Sequence, residues 1–96
     1  MTYKIGYLYQ RSADGQHWAN GSGPLQENLR FASAHDSKDE AITAGARLIG
    51  SPSPMGEVVD AYLVAVRGNM HHVLGAVDRQ GKLDRGYERN PIRMVR

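Results

Sequence analysis

The sequence predicts an α+β domain: an antiparallel sheet with one helix packed on one face, in the order strand, strand, helix, strand, strand. Three observations carry this prediction. Tyr3, Ile5, Tyr7 and Tyr9 alternate with Lys4, Gly6, Leu8 and Gln10, the period of two that marks a strand. The stretch SKDEAITAGARLIG pairs a helix-start signal with apolar residues at helical spacing. Two apolar runs flank Gly68-Asn69, a dipeptide suited to a tight hairpin.

In chain order, the first strand is supported by its composition, because Tyr and Ile favour extended backbone. The segment 11–28 holds Asp14-Gly15, Gly21, Gly23 and Pro24 and reads as a loop around Trp18. A second strand is expected over Leu29–Ala34, where Leu29, Phe31 and Ser33 alternate with their neighbours. The helix is expected from about Lys38 to Ile49. Ser37 followed by Glu40 forms a capping box, and Asp36 and Asp39 place negative charge near the positive end of the helix dipole. Gly50 supplies a left-handed stop and Pro52 prevents continuation.

From Glu57 to Arg67 the pattern fits either element, since Val58, Val59, Tyr62, Leu63 and Val66 also make a helical stripe. Four Val residues disfavour the helix, because a branched β-carbon loses rotamer freedom there. A central strand, apolar on both faces, is therefore expected. Met70–Val77 is its hairpin partner, and Asp78–Gly81 fits a type I turn. Lys82–Asp84 adds a short edge strand before a basic tail from about residue 82, in which Pro91 interrupts regular structure.

The chain of 96 residues suits one domain, and 41% hydrophobic with 23% charged residues suits a folded one. It has no cysteine, which excludes disulfides and thiolate chemistry from these residues. The first residues lack a basic-then-apolar leader pattern, and no run approaches the roughly 20 apolar residues of a membrane span. A soluble, cytoplasmic protein is the expectation. Net charge is +2 but divided: −2 over residues 1–66 and +4 over 67–96. Nine Arg against three Lys favour planar recognition of phosphate or carboxylate.

The sequence offers no recognisable reaction centre. His71 and His72 point to opposite faces of a strand and cannot share one metal ion. His35-Asp36 fits a capping role, and His17 lies in the loop beside Trp18. Gly21-Ser22-Gly23 lacks the Lys-Ser/Thr ending of a phosphate loop. No cofactor, metal or catalytic residue is expected. The Tyr3/Tyr7/Tyr9 face reads as the platform beneath the helix in preference to a base-stacking surface. The candidate contact residues are Arg79, Lys82, Arg85, Tyr87, Arg89 and Arg93, because Arg mixed with an aromatic is typical of interface hot spots.

Two segments, HDSKDEAITAGARLI (residues 35–49) and GAVDRQGKLDRGYERNP (residues 75–91), resemble a family of small uncharacterised bacterial and phage domains. The shared features are the capped EAI helix start, the Asp78–Gly81 turn and the Tyr87–Pro91 ending. In size and element order the chain is also similar to small anti-CRISPR proteins, several of which occupy a channel or subunit surface of an RNA-guided complex. These resemblances imply a non-enzymatic binding or inhibitor protein acting on a protein or nucleoprotein complex. The alternative is a small module that binds nucleic acid directly through the same basic end. Exposed strand edges also allow a homodimer.

Overall fold

The computed structural model describes residues 2–9, 32–52 and 58–93. The loop at 11–28 with His17 and Trp18, the Leu29–Phe31 part of the second expected strand and residues 53–57 lie outside them. The elements are β1 (Thr2–Tyr9), α1 (Lys38–Leu48), β2 (Val58–Arg67), β3 (Met70–Val77), β4 (Leu83–Asp84), a 3₁₀ turn (Arg85–Tyr87) and β5 (Ile92–Arg93). All pairings are antiparallel, in the order β1-β2-β3-β4, with β5 also on β3. The class is the expected one, α+β with the helix on one face. No described helix is long and apolar enough to cross a membrane.

The ambiguous run resolves as a strand. β2 lies between β1 and β3, so both its edges are hydrogen-bonded, and Leu63 and Val64 are fully buried on its opposite faces. Burying a leucine side chain contributes on the order of 2 kcal/mol. On the helix side, Leu63 joins Ile5, Ala61, Ala65, Leu74, Val77 and the helical Ala41. Tyr3 and Tyr7 are half-buried against that cluster, so they serve as its platform. Gly45 lets the helix approach β1 closely: a β-carbon there would stand 2.8 Å from Ile5 Cδ1. The other face is built on Tyr62, Val64 and Val73.

The helix ends follow their local signals. Glu40 N–H donates to Ser37 Oγ (3.1 Å), and Gly50 takes φ +90° just past the last turn. Ahead of the cap, Ala32–Ala34 are not in a strand; pairing with β1 is a single bridge at His35, which exchanges two main-chain bonds with Tyr3 (2.8 and 2.9 Å). Alanine is a weak strand former, and the cap at Ser37 turns the chain away one step later.

The C-terminal segment does not trail as a tail. Residues 83–93 run back along the outer edge of β3, and Pro91 stands immediately before β5, where its missing N–H leaves no ladder bond unmade.

Candidate functional site

The Asp78–Gly81 turn closes the β3–β4 hairpin through Gly81 N–H to the Asp78 carbonyl (3.1 Å), with Gly81 at φ +80°. The Asp78 carboxylate stiffens it, its Oδ1 accepting from the N–H groups of Gln80 and Lys82 (2.9 Å each). Asp84 then caps the 3₁₀ turn, its Oδ1 accepting from Gly86 N–H at 2.9 Å. Two short acidic caps thus aim the cationic side chains between them.

Four of the six residues nominated from sequence meet at one place. Arg79, Lys82, Arg85 and Tyr87 line a cleft of about 890 Å³ at the end of the sheet. Its apolar lining includes Ile49 after the helix, Val59 on β2 and Tyr62. Arg89 and Arg93 are not among the lining residues. They lie farther along the β3 edge, Arg89 with its N–H on the Val73 carbonyl (3.0 Å) and Arg93 opposite Met70.

Several of these side chains are already engaged. The Arg79 guanidinium folds back over Gly50: a β-carbon there would lie 3.1 Å from its Nη2. That places the cation at the helix C-terminus, where the last carbonyls carry partial negative charge. Arg85 Nη2 donates to Glu88 Oε1, and Glu88 Oε2 bonds His72 Nε2, both at 3.0 Å. The Arg85 guanidinium chiefly holds the Glu88 carboxyl below the usual range; desolvation opposes it, and His72 adds to the lowering. Tyr87 is 48% exposed and meets Tyr62 edge-on, ring centroids 6.5 Å apart.

Sequence reasoning missed Asp60 and Tyr62 on the cleft wall. A single carboxylate inside the run VVDAYLVAV was the available signal. Burial pushes the Asp60 carboxyl up, and burial pushes the Tyr62 phenol up strongly, with Asp60 and Tyr87 adding to it and Arg89 opposing. Among the described residues, the cleft therefore carries three cations, Arg79, Lys82 and Arg85, and three carboxylates, Asp60, Asp78 and Asp84. No cluster of three or more His, Asp or Glu suited to a metal occurs among the described residues. As β3 geometry requires, His71 and His72 face apart: His72 turns to Glu88, while His71 pairs across from Val66.

No protein-family model, curated protein or solved structure matches this chain.

Proposed function

We propose that this chain is a non-enzymatic binding protein that occupies a surface of a protein or nucleoprotein complex through the cleft and its Tyr87 rim. The observation that carries this reading is Tyr87, half-exposed and braced edge-on by buried Tyr62, at the mouth of a charge-balanced cleft. A braced aromatic beside Arg is the usual composition of an interface hot spot. Asp78 and Asp84 hold main-chain N–H groups, which favours a binding role for these carboxylates over acid–base chemistry. Equal numbers of cations and carboxylates among the described lining residues favour a protein partner over a polyanion, whose binding rests on excess positive charge. The resemblance in size and expected element order to small anti-CRISPR proteins, read from the sequence, makes an RNA-guided complex one class of target.

Direct nucleic-acid binding is the second reading. It is favoured by Lys82, Arg89 and Arg93 following one another along the β3 edge around Tyr87.

The test is affinity capture from native cells with nuclease treatment, followed by titration of the purified partner against a Lys82→Ala/Tyr87→Ala variant. The expected result is a defined protein partner that survives nuclease and binds the variant roughly ten-fold or more weakly, as for a hot-spot aromatic. Loss of all captured material with nuclease, or equal affinity of the variant, would overturn the reading in favour of the second or of another surface.

A further inference from the structure

The segment between β4 and β5 is too long for the edge it covers. Ala76 pairs with Asp84 and His71 with Ile92, so residues 72–75 of β3 face residues 85–91 of the outer chain. The surplus is absorbed by the 3₁₀ turn at Arg85–Tyr87, and the strap regains the sheet at Arg89, whose N–H bonds the Val73 carbonyl. Glu88 sits between those two points. Its carboxylate spans two elements, one oxygen on Arg85 within the strap and the other on His72 of β3, each at 3.0 Å.

We propose that the Glu88–His72 pair is a proton-dependent latch that fixes the strap, and with it Tyr87 and Arg89, against β3. A single oxygen holding a titratable imidazole is attracted as an ion pair when His72 is protonated and only as a neutral hydrogen bond when it is not. The latch is tightest where Glu88 is ionised and His72 charged. It loosens as pH rises through the histidine titration, and again at acid pH once Glu88 is protonated.

The surrounding charges keep the switch on this pair. Arg85 faces Glu88 from the strap itself and keeps it ionised. Across β3, His72 neighbours the uncharged Ala65 of β2. Arg93 of β5 and Arg67 of β2, both opposite Met70, are the further cations beside His72, on exposed positions where solvent screens them. Asp84 is turned to Gly86 N–H. His71 and Lys4 belong to the other face of the sheet. Because the strap carries Tyr87, the latch sets how firmly that side chain is presented, independently of what binds it.

The reporter is the Arg89 amide, whose exchange reads the strap's attachment to Val73. Hydrogen-exchange protection of Arg89 N–H is followed by NMR from pH 5 to 8, beside the His72 ring resonances and the amide of buried Leu63. In the unmodified protein, Arg89 protection should fall roughly two- to five-fold as His72 loses its proton, the size an exposed ion pair allows. The two midpoints should coincide while Leu63 protection stays unchanged. Glu88→Gln should lower Arg89 protection at pH 5.5 and remove the step, and His72→Gln should remove the step while keeping a neutral hydrogen bond. Arg89 protection that is flat in the unmodified protein, or that steps in Glu88→Gln as before, would overturn the latch. The unmodified chain alone decides it should either variant fold poorly.

Discussion

A β-carbon on Gly75 would clash with the main-chain carbonyl of Asp84. Gly75 follows the irregularity at Leu63/Val64, where β3 carries the extra residue Leu74 and bends against β2. Asp84 is the last residue of β4 and the cap of the 3₁₀ turn. The close approach is thus the point at which the outer chain turns from edge strand into strap.

Gly75→Ala should therefore destabilise the fold by about 1–3 kcal/mol, the usual cost of forcing extra volume against fixed backbone. Gly45→Ala is the contrast. Its new β-carbon would meet the far end of the Ile5 side chain, which can turn aside, and alanine gains about 1 kcal/mol of helix preference over glycine. Urea denaturation of both variants checks the pair. Gly75→Ala should lower the midpoint clearly while Gly45→Ala leaves it nearly unchanged; equal losses would show that backbone and side-chain obstruction do not differ here.

The cap of α1 is held by one exposed hydrogen bond, Glu40 N–H to Ser37 Oγ. Ser37→Ala leaves that N–H to solvent and should cost about 1 kcal/mol. In a domain of this size the loss corresponds to a fall of roughly 4–8 °C in Tm. Ser37→Asp, which keeps an acceptor at the cap, should retain most of the stability. A thermal melt of the three proteins decides it, and an unchanged Tm for Ser37→Ala would mean that the cap contributes nothing.

The parts that could be read from sequence are those whose physics is local. Ser37 and Gly50 bracket the helix through their own backbone needs, and Gly68-Asn69 closes the β2–β3 hairpin with Gly68 at φ +58°. Tyr3, Ile5 and Tyr7 were readable as a buried face because strand period and side-chain type agree. The strap was not readable. Arg85–Pro91 has neither helical nor strand period, and its path depends on room at Gly75 and a bond from Arg89 to Val73, sixteen residues away in sequence. Composition could nominate Arg79, Lys82, Arg85 and Tyr87, whose hairpin brings them to one cleft. It could not show that Arg85 is paired with Glu88 or that Arg79 covers the helix end, because both depend on where the strap and α1 stand.

His71 gives the fold a dependence on pH that can be assigned in sign. Its Nδ1 is buried with no hydrogen-bond partner among the described residues. Burial lowers its pKa from 6.5, the nearby Lys4 adds to the effect, and the Asn69 main chain works against it. The folded state then binds fewer protons than the unfolded state between the lowered pKa and 6.5. Stability must rise with pH through that window and be complete above it. Acidification below 6.5 should therefore weaken the fold through this residue. His71→Val removes the titration and the unpaired nitrogen, and suits a position that faces Val66 across β2. Urea unfolding from pH 5 to 8 should give a shallower acid slope for His71→Val than for the unmodified protein, the two differing most at the acid end. Curves that run parallel over the whole range would remove His71 as the source and leave the acid dependence to the remaining titratable groups.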